Sequence, residues 1–98
     1  MWRCLGRAVC KRFVFANKRV GVSIRYLFNN AGEGRYGSIE QITREMIDTV
    51  FSGLLIGLML MSSRAVVEMA EAEGYIVNIL STAALRVHKH QAVYNAAK

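Results

Sequence analysis

Fifteen consecutive residues, Thr49 to Ser63, carry no charge, and they lie inside a longer stretch whose apolar residues recur at helical spacing. Met46, Val50, Leu54, Leu58 and Met61 follow one another at intervals of four and three, and Leu55, Met59, Val66, Met69 and Ala70 widen the apolar surface toward Ala72. A helix apolar over so much of its circumference has to be covered on more than one side. The uncharged stretch falls short of the roughly 20 residues that a bilayer span needs. Ser52, Gly53 and Gly57 allow another backbone to approach closely. The segment therefore reads as the core helix of a folded domain, and no membrane span is expected. Thr43 is suited to cap its start, with Glu45 and Asp48 near the positive end of the helix dipole, and Glu73-Gly74 reads as its stop.

Short strands flank this helix. Ile24 to Phe28 is rich in β-branched and aromatic residues and runs into Asn29-Asn30-Ala31-Gly32, a turn or loop. Glu33 to Ile39, with Gly34 and Gly37, reads as an exposed loop. Tyr75 to Leu80 is an apolar run interrupted only by Asn78, the pattern of a strand covered on both faces. Ser81 to Ala84 leaves it as a small-residue loop, and a further helix begins near His90 or Gln91. Strand, long helix, strand and helix in this order argue for an α/β chain with a parallel sheet. Two strands make at most the centre of such a sheet, so self-association through the sheet edges or the long helix is expected.

With 53% hydrophobic and 20% charged residues in 98, the composition is that of one globular domain and excludes a disordered chain. Cys4 and Cys10 are too few and too close together to frame a secreted disulfide scaffold, which suits a reducing, cytoplasmic setting. The net charge of +6 has an uneven source: residues 1–32 hold seven basic residues and no acid, residues 33–98 six basic and seven acidic ones. The basic surface thus belongs to a segment, 1–22, which reads first as an atypical basic extension, with a first strand and a targeting or surface-attachment helix as the alternatives. The remainder, 23–98, is nearly neutral, and no nucleic-acid partner is expected for it. His88 and His90 stand two apart with no third ligand nearby, so they read as solvent-facing residues and no metal site is assigned. Arg86, His88 and Lys89 read as a solvated basic cluster.

Three local patterns carry chemistry. Tyr94 and Lys98 are four apart on one helical face, where an ammonium favours the phenolate and eases proton transfer. Ser81 lies where a parallel strand ends, the side of an open α/β sheet on which ligands sit, and its hydroxyl can donate to a reacting carbonyl oxygen. Asn29-Asn30-Ala31-Gly32 follows the first strand with small residues that leave room for a ligand or backbone.

In this order, over Ile24 to Lys98, NNAG, IVNILS and YNAAK resemble the short-chain dehydrogenase/reductase family, central portion only. The resemblance implies an incomplete Rossmann-like parallel sheet with flanking helices, divided from the basic segment near residue 22. By position it makes Tyr94 the general acid/base and Ser81 the residue that polarises a substrate carbonyl or alcohol. Lys98 becomes the lysine that tunes the tyrosine and holds the nicotinamide ribose, and Asn30, Ala31 and Gly32 become the cofactor-side loop. NAD or NADP is the implied cofactor, and a small carbonyl or alcohol the implied substrate.

Two departures set this chain apart. The family usually places an asparagine in the long helix, in a segment resembling VFxVNLxG, where it anchors the lysine through water. Here Leu54 occupies that position and offers neither an amide carbonyl nor a polar contact with which to bend the helix. The glycine-rich fingerprint expected upstream of NNAG does not occur before Asn29, and Gly21-Val22-Ser23 is no substitute. The alternative expectation is therefore a catalytically inactive fragment or pseudoenzyme that acts through protein–protein association.

Overall fold

In the computed structural model, residues 24–70 and 73–98 are described, and the basic segment 1–22 lies outside them. Strand β1 (Tyr26–Asn29) is followed by a short 3-10 turn (Ile39–Gln41) and by one long helix, α1 (Arg44–Glu68). Strand β2 (Tyr75–Asn78), a second 3-10 turn (Thr82–Ala84) and the short helix α2 (Ala92–Ala97) complete the described elements. The two strands pair in parallel, from Tyr26 opposite Tyr75 to Asn29 opposite Asn78. Backbone bonds extend the ladder at both ends: Tyr75 N–H to the Arg25 carbonyl at 2.8 Å, and Ile79 N–H to the Asn29 carbonyl at 3.1 Å. The incomplete Rossmann-like α/β arrangement expected from the sequence is present.

Alternation along the strands sorts their side chains. Leu27 and Ile76 are half-buried on the face that α1 covers. Tyr26, Phe28, Tyr75 and Val77 form the opposite face and are exposed, with Tyr26 stacked on Tyr75 at 5.4 Å and on Phe28 at 6.5 Å. The expected six-residue strand covered on both faces is thus a four-residue strand with one covered face. An apolar run reads the same in sequence whether or not a second layer lies over it, and beyond β2 both Ile79, whose N–H still bonds to Asn29, and Leu80 are exposed.

Thr43 caps α1 as expected, its hydroxyl oxygen accepting the Met46 N–H at 3.2 Å. The helix ends at Glu68, before the Glu73-Gly74 stop read from the sequence. Gly74 serves close approach instead, since a Cβ there would lie 2.6 Å from Cγ of Met69. In its middle, α1 widens into a π-helical turn, Ser52–Ile56. The Gly57 N–H reaches back five residues to the Ser52 carbonyl, while the Ser52 N–H is shared between the carbonyls of Asp48 and Thr49. A Cβ on Gly57 would sit 3.0 Å from the Ser52 oxygen, so the glycine permits the widened turn. The helix therefore departs from α geometry around Leu54 without any polar side chain at that position.

The core gathers at this turn. Val50, Leu54, Val93 and Ala97 are buried together, with Ile42, Phe51 and Tyr94 packed against them, so α2 packs on the first turns of α1, with Leu54 of the π-helical turn at the edge of the contact. By length and composition alone, the 25 residues of α1 are enough to cross a membrane, because its flanking turns lengthen the 15-residue uncharged stretch. Val50, Leu54, Ala65 and Met69 are buried within the protein, whereas Leu55, Ile56, Met59, Val66 and Val67 are exposed.

Candidate active site

Both strands end on the same side, and the residues singled out from the sequence lie on the segments leaving those ends. At the end of β1, Asn29 donates through Nδ2 to Oδ1 of Asn78 at 2.8 Å and to Oγ of Ser62 on α1 at 2.9 Å. One amide thereby links both strands and the helix that covers them. Nothing in the sequence reading singled out Asn29, Asn78 or Ser62 for this role. The available signal was one asparagine at the same place in each short strand.

Beyond Asn29 the chain turns sharply, with the Asn30 N–H on the Phe28 carbonyl at 3.1 Å, and Asn30 and Ala31 are exposed. Gly32 then runs against α1. A Cβ on Gly32 would overlap Cδ2 of Leu54 and lie 2.9 Å from its Cγ, and a Cβ on Gly53 would meet the Gly32 Cα at 3.7 Å. The leucine in the position where the family usually has asparagine thus fills the space beside Gly32 with an apolar side chain, only 7% exposed.

At the end of β2, Ser81 caps the turn Thr82–Ala84, its Oγ accepting the Ala83 N–H at 3.2 Å. This fixes one lone pair and leaves the hydroxyl proton able to donate elsewhere. The same turn packs against α2. On α2, Tyr94 is half-buried against the core, and the Lys98 ammonium lies 6.0 Å from its ring centroid. Lys98 Nζ also donates to the Ile79 carbonyl at 2.9 Å, which brings the end of α2 back to the strand exit two residues before Ser81. Ser81, Tyr94 and Lys98 are therefore carried by elements packed on one another, with Asn30 and Ala31 at the neighbouring strand end.

The loop from Glu33 to Gly37 lies along Tyr94. A Cβ on Gly34 would be 3.2 Å from Cδ2 of Tyr94 and 3.2 Å from the hydroxyl oxygen of Tyr36, so both tyrosines border this glycine. Glu33 and Arg35 form an ion pair at 3.1 Å between exposed side chains. The loop is tied at its far end by the Gly37 N–H, which donates to the His90 carbonyl at 2.9 Å. His90 takes a left-handed backbone conformation, φ 61°, unusual for a residue with a Cβ. Asn95, next to Tyr94, donates to the Arg86 carbonyl at 3.2 Å and so holds the other end of the loop before α2.

Solved structures share this fold. The chain superimposes on a 4-hydroxyisoleucine dehydrogenase complexed with NADH (TM-score 0.88, 21% identity), covering 94% of this chain and 41% of that one. A sorbitol-6-phosphate 2-dehydrogenase from Erwinia amylovora gives 0.87 at 24% identity over 95% of this chain and 37% of its own. A serine dehydrogenase in its closed form, complexed with NADP+, gives 0.85 at 27% identity over 95% and 38%. The chain thus spans about two fifths of the length of these dehydrogenases. No curated protein matches significantly by sequence. The family model for short chain dehydrogenases matches residues 6–98, nearly the whole chain. On that match, and with the strand-end loop, serine and Tyr94–Lys98 pair in the family's order, the chain belongs to the short-chain dehydrogenase family.

Proposed function

We propose that this chain is the central part of an NAD(P)-dependent oxidoreductase that interconverts a small alcohol and its carbonyl. The observation that carries this reading is the Lys98–Ile79 bond, which holds the Tyr94–Lys98 helix against the strand exit leading to Ser81. A bound nicotinamide supplies the acceptor or donor of the hydride. Tyr94 takes the hydroxyl proton of the alcohol as the carbonyl forms, and returns it in reduction. Ser81, one lone pair held by the Ala83 N–H, keeps its proton and donates a hydrogen bond to the substrate oxygen. Lys98 has three donors, one used on Ile79; the other two serve the Tyr94 oxygen and a ribose hydroxyl. Asn30 and Ala31, exposed beyond β1, suit the cofactor side. The relatives named for 4-hydroxyisoleucine, sorbitol 6-phosphate and serine favour a small hydroxylated substrate.

Calorimetric titration with NADH and NADPH, with turnover on a panel of small ketones and alcohols, tests this. Micromolar to millimolar binding with turnover is expected, and no binding at millimolar cofactor refutes it.

A second reading, a non-catalytic member acting through association, is favoured by Leu54, an apolar side chain with no amide to offer a proton relay. Cofactor binding without any turnover would select it. In both readings 23–98 is the folded unit and 1–22 an accessory segment, α1 is a core helix rather than a span, and the setting is cytoplasmic. Self-association through the exposed face of α1, with no nucleic-acid partner, completes the proposal.

A further inference from the structure

The loop after the NNAG turn brings an unassigned phenol to Tyr94. Along Glu33 to Tyr36 the side chains alternate as in extended chain: Glu33 and Arg35 pair with each other, while Gly34 and Tyr36 turn to the catalytic helix. Gly34 matters because it has no side chain. The Tyr36 hydroxyl oxygen and the Tyr94 ring both lie 3.2 Å from the point where a Cβ on Gly34 would stand. Immediately after Tyr36, the Gly37–His90 backbone bond and the bond from Ser38 N–H to Gln41 Oε1, 3.0 Å, hold the loop down. The Tyr36 hydroxyl makes no hydrogen bond among the described residues, and its side chain is exposed.

We propose that Tyr36 is a substrate-positioning residue: its free hydroxyl, bordering the same glycine as the Tyr94 ring, binds a second oxygen on the carbon next to the reacting one. The substrates selected are vicinal diols, α-hydroxy ketones and α-hydroxy acids over simple alcohols and ketones. This rests on the oxidoreductase reading, because the reacting carbon is defined by Tyr94. A phenol that can donate and accept suits any of these neighbouring oxygens. A site built to hydrogen-bond a hydroxyl discriminates against the analogue lacking it through the polar group left unpaired. A merely surface-resting tyrosine would tolerate loss of its single oxygen without any change in preference.

The test compares hydroxyacetone with acetone as substrates for reduction by the full chain with NADH or NADPH. The kcat/KM ratio is expected to favour hydroxyacetone, and Tyr36→Phe to cut that ratio about tenfold, mainly through KM, the effect of one lost hydrogen bond. Gly34→Ala, whose methyl would push the Tyr36 hydroxyl away from Tyr94, is expected to cut it similarly. A ratio unchanged in Tyr36→Phe overturns the proposal. The same comparison is read without turnover by titrating hydroxyacetone and acetone against the ring signals of Tyr36 and Tyr94 in nuclear magnetic resonance. Saturable shifts with hydroxyacetone alone, lost at Tyr94 in Tyr36→Phe, are expected, and their absence overturns it. Failure of the wild-type chain to bind NADH or NADPH strikes the oxidoreductase reading instead, so the two failures are distinct. Matching far-UV circular dichroism of the variants excludes misfolding as the cause.

Discussion

Replacing Gly32 by alanine probes the contact that joins the NNAG loop to the long helix. The new methyl would overlap Cδ2 of Leu54 and stand 2.9 Å from Cγ, against the roughly 3.5–4.0 Å of ordinary carbon contact. Leu54 cannot yield cheaply, being packed with Val50, Val93 and Ala97. Overpacking of this kind costs about 1–3 kcal/mol. Leu54→Ala removes three carbons from a side chain only 7% exposed. At about 0.8 kcal/mol for each carbon plus a cavity contribution, its cost is about 3 kcal/mol. Leu54→Ala also empties the volume that the Gly32 methyl needs. In the Leu54→Ala background, Gly32→Ala should therefore cost less than about 0.5 kcal/mol, leaving a coupling of about 1–3 kcal/mol between neighbours in contact. Urea unfolding of the four proteins, followed by far-UV circular dichroism, measures this cycle. Simple addition of the two single costs would refute the reasoning, because Gly32 would then be constrained by something other than Leu54.

Three further outcomes are expected. Thr43→Ala should destabilise the chain by about 1 kcal/mol in the same unfolding assay, through loss of the bond to the Met46 N–H. The Ser38 hydroxyl, followed by a backbone hydrogen bond, holds the Glu40 carboxyl below its ordinary value of 4.5. This contribution is present above the unfolded pKa and is lost as pH falls through the lower folded one, so a carboxyl titration should show Ser38→Ala moving Glu40 upward. Met59→Lys, on the exposed apolar face of α1, should reduce any self-association seen by sedimentation while leaving the thermal unfolding of the monomer within about 0.5 kcal/mol.

What could be read in advance was whatever depends on neighbours along the chain. Thr43 announces its helix because a cap acts three residues ahead, and Tyr94 with Lys98 share a face because four residues make about one turn. The order of strand, helix and strand similarly follows from local pattern. The π-helical turn was hidden, since Ser52, Gly53 and Gly57 mark close packing without saying which carbonyl each N–H will choose. Tyr36 was hidden for another reason: its approach to Tyr94 depends on Gly34 lying between residues nearly 60 positions apart in the chain. Likewise, Leu54 looked like the loss of an amide, whereas the space beside Gly32 shows what its side chain supplies instead.

The amide of Asn29 has a consequence for assembly. Its two partners come from places 33 and 49 residues away, and neither bond exists until the helix is docked and the strands are aligned. A slip of one residue would set Asn29 opposite Val77 or Ile79, turn the apolar face of one strand over, and leave the amide without its partner. Among the described residues the sheet has two four-residue strands, and their other side chains choose little, since Tyr, Leu, Ile, Phe and Val tolerate many neighbours. Asn29 acts as a checksum on the whole crossover, satisfied only when helix and both strands arrive in the one arrangement that brings Lys98 to the Ile79 carbonyl, two residues before Ser81.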